Sequence, residues 1–170
     1  SFTGELKLES LKNIGINDTL VGHNERRKIM YEEYEMAKEK LFKSLSSKCQ
    51  TILCVGEEKR MRKPFSYVKK ELNFYLRSIE SSSIKYLSIA YEPNWAIGTG
   101  DVQDISKIEQ TVNLIKDYVH KKYNFEVEVY YGGSINGENI KAIYDVCDGV
   151  VLGKISTDYK SLNNLLSNIK

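Results

Sequence analysis

Residues 86–100 read YLSIAYEPNWAIGTG, and the fold follows from how this stretch divides. An apolar run ends at Tyr91 and Glu92, Pro93 stops it, and an exposed Trp95 is expected before Gly98 and Gly100. A short buried run with such a stop predicts a strand whose carboxyl end opens into a loop. The same unit recurs at 19–22 (TLVG), 51–56 (TILCVG), 127–131 (VEVYY) and 149–152 (GVVL), ending at His23, Glu57, Gly132-Gly133-Ser134 and Gly153. Between these runs the spacing predicts helices over 29–46, with Met30, Tyr34, Ala37 and Leu41 on one face, and over 66–81, 104–122, 137–146 and 158–169. Alternating β and α elements with buried runs predict an α/β fold, a parallel sheet covered by helices, with chemistry gathered where the strands end.

A chain of 170 residues can bury roughly 70% of its unfolded surface, so a single domain over 1–170 is expected. The charged loop at 57–65 (EEKRMRKPF) and the polar break at Ser81, Ser82 and Ser83 interrupt the pattern without marking a domain boundary. A formal charge of +2 with acids and bases interspersed argues against a nucleic-acid surface and favours a small anionic partner. Lys59, Arg60, Arg62, Lys63, Lys69 and Lys70 lack interleaved stacking aromatics beyond Phe65 and Tyr67, so they read as a solvated loop and helix face. The 3 cysteines, Cys49, Cys54 and Cys147, are odd in number and widely spaced, which suggests neither a disulfide framework nor a metal knuckle and fits the cytosol. No apolar run reaches the ~18 residues of a membrane span.

Glu92 is the first candidate for chemistry. Flanked by Tyr91 and Trp95 and followed by Pro93, its carboxylate can be desolvated toward a pKa suited to proton abstraction; an isolated glutamate at a strand end is more often simply solvated. Residues 94–100 (Asn94, Trp95, Ala96, Ile97, Gly98, Thr99, Gly100) combine an aromatic anchor with two glycines that let backbone N–H groups approach an anion. The segment reads equally as a lid over a phosphate or as a connection into the helix at 104, capped by Asp104 or Ser106. His23 ends the first run ahead of Asn24, Glu25, Arg26 and Arg27, where a neutral imidazole can donate to a carbonyl; a lone strand-end histidine is also commonly structural. His120, near a helix C-terminus, reads as a solvated residue favourable to the helix dipole. After the fourth and fifth runs, Gly132, Gly133, Ser134 and Gly153 could offer N–H and hydroxyl donors to a dianion, with a helix opening behind Gly153. Each of those motifs could equally be a tight turn.

Taken together and in order, GHNERR at 22–27, CVGE at 54–57, AYEPNWAIGTG at 90–100, YGGSIN at 131–136 and DGVVLGKIS at 148–156 resemble the triosephosphate isomerase family. The resemblance implies a homodimeric (β/α)8 TIM barrel that interconverts dihydroxyacetone phosphate and glyceraldehyde 3-phosphate in glycolysis and gluconeogenesis, with no cofactor and no metal. On this resemblance Glu92 moves the proton, His23 polarises the substrate oxygens as a neutral imidazole, and Glu25 and Asn24 support them. Gly98, Ser134, Gly153 and Lys154 would hold the phosphate of a small three-carbon substrate. Residues Pro93 to Gly100 would form the lid, with Tyr91, Glu57, Tyr131, Gly132 and Ser134 around it. FTGE at 2–5 resembles the end of the family's interface loop, so Thr3 would enter a partner's site and Glu5 would pair with a partner's Arg26.

The chain also departs from the family's pattern. Asn24 stands where the family has serine, Asn94 where it has a small apolar residue, and Lys154 where it has a second glycine, which leaves phosphate binding open. Barrels of eight βα units average about 250 residues, whereas this chain supplies five units, strands 4 to 8. The three N-terminal units are expected to be absent, together with an Asn-x-Lys segment whose ammonium supports substrate charge. Lys7 and Lys12 lie on a helix-like stretch and do not replace it. This chain is therefore expected to be inactive alone, requiring the N-terminal segment from the same or a separate chain; the alternative is a non-catalytic barrel fragment serving binding or assembly.

Overall fold

A computed structural model describes residues 4–169. Helix α1 (Leu8–Asn13) leads into β1 (Asp18–Val21), α2 (Asn24–Ile29), α3 (Tyr34–Ser46) and β2 (Gln50–Val55). Helix α4 (Phe65–Tyr75) and a 3-10 turn at Ser81–Tyr86 precede β3 (Leu87–Tyr91), and the long α5 (Ile105–Tyr123) precedes β4 (Val129–Tyr131). The chain continues through α6 (Ile140–Tyr144), β5 (Gly149–Val150), a second 3-10 turn at Lys154–Thr157 and α7 (Tyr159–Ser167). All five strands pair in parallel in chain order, β1-β2-β3-β4-β5, as expected when each connection carries a helix.

Register divides the sheet into two faces. Val21, Leu53, Ile89 and Val129 align across four strands, and Val55, Tyr91, Tyr131 and Val150 align one row nearer the carboxyl edge. This face packs in one apolar core with Ala37, Leu41 and Leu45 of α3, Val68, Leu72 and Tyr75 of α4, and Ile108, Val112, Ile115 and Val119 of α5. Removing a buried leucine or isoleucine here costs about 2–5 kcal/mol, because the emptied space closes only in part. The opposite face is thinner. Leu20 is 41% exposed and its row mates Ile52 and Ser88 are only half-buried, so among the described residues nothing covers the middle of that face.

Several predicted helices are shorter than their patterns; the one expected over 137–146 spans only Ile140–Tyr144, and the one over 158–169 only Tyr159–Ser167. The helix expected over 29–46 is broken: α2 stops at Ile29, Tyr31 takes φ 52°, and α3 begins at Tyr34. Met30 is accordingly exposed rather than on the buried stripe. The break turns Glu32 inward, where its N–H donates to the Arg26 carbonyl (3.0 Å) and its carboxylate meets Arg26 Nε (3.2 Å) and Lys40 Nζ (2.5 Å). The helix expected over 66–81 stops at Tyr75, and the three serines at 81–83 open the 3-10 turn. At the end of α5, Asn124 adopts a left-handed C-cap with φ 52°, and His120, Lys121 and Lys122 lie against the negative end of the helix.

Candidate active site

Glu92 follows directly from β3 and is pinned from both sides. Its N–H donates to the Val55 carbonyl of β2 (2.8 Å), while Gly132 N–H, after β4, donates to the Tyr91 carbonyl (2.9 Å). Alternation along β3 puts Glu92 on the face of Ala90, beside Cys54, so its side chain turns toward the open side of the sheet. Two neighbours must be glycine for this to happen. A Cβ on Gly56 would lie 1.9 Å from the Glu92 carbonyl oxygen, and one on Gly132 would lie 2.7 Å from Glu92 Cγ.

The carboxyl is only 2% exposed, and its Oε2 has no hydrogen-bond partner among the described residues. Burial raises its pKa to about 7, with the Cys54 thiol and the Arg27 charge pulling the other way and Glu25 adding a little repulsion. A carboxyl poised there can both take and return a proton near neutrality.

His23 faces it. The imidazole is the N-cap of α2, and its Nδ1 accepts from Glu25 N–H (3.4 Å), which places the ring proton on Nε2. That Nε2 lies 3.9 Å from Glu92 Oε2, too long for a direct hydrogen bond and open to a substrate atom between the two. Burial lowers the imidazole pKa from its ordinary value, Glu25 opposes that and Arg27 assists it, so His23 is neutral at pH 7. Asn24 is buried beside it with Nδ2 lacking a partner, while Glu25 is exposed and contributes its backbone N–H.

The expected lid is tied at both ends. Trp95 is half-buried rather than exposed: its indole N–H donates to Glu57 Oε1 (3.0 Å), and the Arg60 guanidinium lies 4.3 Å from its ring centroid. Tyr91 OH donates to both Glu57 oxygens (3.2 Å each), so a largely buried carboxylate gathers the base strand and the loop. Ser134 clasps the far end, donating to the Ala96 carbonyl (2.6 Å) and accepting from Gly100 N–H (3.2 Å). Gly98 and Gly100 take φ 71° and 83°, conformations that side chains resist. Pro93 accepts from Ala96 N–H (2.8 Å), and Thr99 bridges the Trp95 carbonyl and Asp101 N–H. Ile97 is half-buried.

Other expected members stand apart. Tyr131 OH is buried without a hydrogen-bond partner among the described residues, so it makes no lid hydrogen bond with them. Gly153 and Lys154 are exposed and bond within their own turn, where the Gly153 carbonyl accepts from Ser156 N–H (3.0 Å) and the Lys154 carbonyl from Thr157 Oγ1 (2.8 Å). Instead of the helix expected there, the segment forms a four-residue 3-10 turn. Glu5 and Arg26, expected to pair between subunits, form their ion pair within one chain, with Lys40 Nζ completing the cluster 3.1 Å from Glu5 Oε2. The inward-turned Glu32 supplies the second carboxylate that holds both cations beside Glu5. Thr3 lies outside the described residues.

Several residues at the site went unassigned from sequence. Arg27 pairs with Glu71 (3.0 Å) and Tyr34 OH (2.9 Å), and Glu71 Oε2 accepts from Gly56 N–H (2.8 Å), fixing the turn beneath Glu92. The signal for Glu71 was available, since an acid sits within the buried stripe Val68, Leu72, Tyr75 of α4. Gln103 is buried and donates to Glu57 (3.4 Å). Asn94, expected in the lid, is buried, its Nδ2 donating to the Gly56 carbonyl (3.2 Å) and Glu58 Oε1 (2.9 Å).

Fold and site together define a βα-repeat protein whose polar groups gather at the carboxyl edge of a parallel sheet, around one buried carboxyl and one neutral imidazole. The family model described as triosephosphate isomerase matches residues 1–169. The triosephosphate isomerase of Mycoplasma genitalium is 38% identical over 167 residues, covering 95% of this chain and 68% of that protein. Its counterpart in Mycoplasma pneumoniae is 36% identical over 164 residues (93% and 66%), and that of Orientia tsutsugamushi strain Boryong 33% identical over 174 residues (99% and 70%). The chain belongs to the triosephosphate isomerase family, and its parallel strands are its share of that family's TIM-barrel fold. It spans about two thirds of the length of the curated relatives it matches.

Proposed function

We propose that this chain carries the proton-transfer centre of a triosephosphate isomerase, acting on a small phosphorylated triose without a cofactor. Glu92 takes a proton from the carbon next to the substrate carbonyl. The electron pair moves into the new carbon–carbon double bond as the carbonyl oxygen becomes an enediolate oxygen, and the Nε2–H of His23 donates to it. Transfer of a proton between the two oxygens, then return of the Glu92 proton to the neighbouring carbon, completes an isomerisation that consumes no other reactant. Gly98, Ser134, Gly153 and Lys154 hold the phosphate, the last two after their exposed turn closes toward Ser134. Glu57, Tyr91 and Trp95 anchor the lid.

The observation that carries this reading is the unpartnered, largely buried Glu92 oxygen 3.9 Å from His23 Nε2. The exposed row on the inner face supports a further element of the proposal: three additional βα units close this sheet into a full barrel and bring the missing ammonium. The three free cysteines fit a reducing, cytosolic setting. No helix among the described residues is long and apolar enough to cross a membrane. Two copies would pair through the face near Arg26.

The test is a triose phosphate isomerisation assay on the chain alone and on the chain mixed with the three N-terminal βα units of the Mycoplasma genitalium relative, with binding of a phosphorylated three-carbon acid followed in parallel. Turnover in the mixture that disappears with Glu92→Gln is the expected result. Absence of both turnover and binding in the assembled pair would overturn the proposal and leave the chain a non-catalytic binding or assembly module.

A further inference from the structure

The outer helical layer holds a polar feature unrelated to Glu92. A hollow of about 610 Å3 opens between α3, α4 and α5, lined by Lys38, Lys70, Asn73, Phe74, Arg77 and Lys122. Four cations and no carboxylate are among these lining residues. Lys70, Asn73, Arg77 and Lys122 are exposed and Lys38 is half-buried, so water screens the charges singly, while an anion within reach of several of them gains from their summed field.

Neighbouring cations on the same helices are treated differently. On α3, Lys40 pairs with Glu5 and Glu32 and Lys43 with Glu39, whereas Lys38 has no ion pair among the described residues and lies over the Phe74 ring at 4.9 Å. On α5, Lys116 pairs with Asp148 and Lys121 approaches Asp117, but Lys122 reaches only the Leu76 carbonyl at the end of α4 (2.8 Å). That carbonyl accounts for the position of Lys122; it does not account for Lys38, Lys70 or Arg77. Burial also lowers the Lys122 pKa, with no acid to offset it.

Asn73 adds direction. Tyr118 OH donates to its Oδ1 (2.7 Å), which occupies the acceptor and leaves the amide N–H2 free to donate. Three ammonium groups, one guanidinium and one amide thus present donors to a common volume. Lys70, Asn73 and Phe74 recur at helical spacing on α4, and Arg77 follows in the turn just past its C-cap Leu76, so one wall comes from α4 and its terminal turn.

We propose that this hollow binds a compact polyphosphate, of the size of pyrophosphate or larger, bridging α3, α4 and α5. A single orthophosphate spans too few of the donors to hold them together.

Isothermal titration of the intact chain at low salt with tripolyphosphate, pyrophosphate and orthophosphate tests this. One saturable site is expected, with affinity falling in that order. The double variant Lys70→Glu/Arg77→Glu should weaken tripolyphosphate by at least about tenfold, since two charge-assisted contacts become repulsive. Lys59→Glu/Arg62→Glu alters net charge equally in the 57–65 loop and should leave the affinity within about twofold. The neutral pair Lys70→Gln/Arg77→Gln, checked by circular dichroism for intact fold, should give an intermediate loss. The proposal is overturned by an absence of saturable binding, by equal losses in both charge-reversed variants, or by displacement of tripolyphosphate with a phosphorylated three-carbon acid, which would locate binding at the candidate active site.

Discussion

Replacing Glu92 by glutamine separates the electrostatic cost of the base from its shape. The buried carboxyl titrates at about 7 rather than near 4.5, a difference worth about 3 kcal/mol. Below pH 4.5 the carboxyl is protonated in both folded and unfolded chains and carries no penalty. Between 4.5 and 7 the unfolded carboxyl ionises while the folded one still holds its proton, so stability falls as pH rises. Above about 7 the folded carboxylate is ionised as well and the full cost is present. Glutamine stays neutral throughout and retains the contacts to Cys54 and Gly132. Glu92→Gln should therefore match the parent chain near pH 4 and exceed it by about 3 kcal/mol at pH 8.5. For a chain of this size that is roughly 6–12 °C in melting temperature. Urea denaturation followed by far-ultraviolet circular dichroism at both pH values measures it, with Trp95 emission as a local control. A pH-independent difference, or a variant less stable at pH 8.5, would refute the reasoning.

Other substitutions probe the supports around Glu92. Gly132→Ala puts a methyl 2.7 Å from Glu92 Cγ; in the assembled barrel it should lower kcat by about 100-fold while KM changes little, since ångström-scale misplacement of a base costs that much. Glu71→Ala removes the nearer carboxylate of Arg27, leaving it Tyr34 OH and the more distant Glu58 at 3.9 Å, and should cost about 3 kcal/mol in urea denaturation, whereas Arg27→Met with Glu71→Met should recover most of it. Glu57→Ala removes the acceptor of the Trp95 indole N–H, so the emission of the single tryptophan should move to longer wavelength and become more accessible to acrylamide quenching.

The strands were legible because each is a short apolar run with a polar or glycine stop, and a strand buried on its helix side leaves that mark on sequence. Long α5 was legible too, since its apolar stripe runs unbroken from Ile108 to Val119. The break between α2 and α3 was not. It depends on Glu32 finding Arg26 and Lys40, a charge arrangement between separate elements that periodicity cannot carry. The residues at the strand ends, Glu92, His23, Glu57 and Ser134, were identifiable, and the structure brings His23 to Glu92 and ties Glu57 and Ser134 to the loop. Glu71 and Gln103 escaped notice because they reach the site from helix α4 and from the loop before α5, through hydrogen bonds to a backbone amide and a carboxylate. Local sequence suggested an exposed Trp95, whereas Glu57, distant in sequence, draws it in through the indole N–H.

The pairing of a base with a neutral imidazole is tested most directly at His23. The chain has only 2 histidines, so 15N spectra of labelled protein resolve both rings, and His120, whose Nδ1 lies 2.7 Å from Glu126 Oε1, serves as the internal reference. His23 should be neutral with its proton on Nε2 at pH 7 and above, and its Nε2 signal should shift when a phosphorylated three-carbon acid binds to the assembled barrel. A His23 ring that is protonated at pH 7, or that carries its proton on Nδ1, would contradict the account.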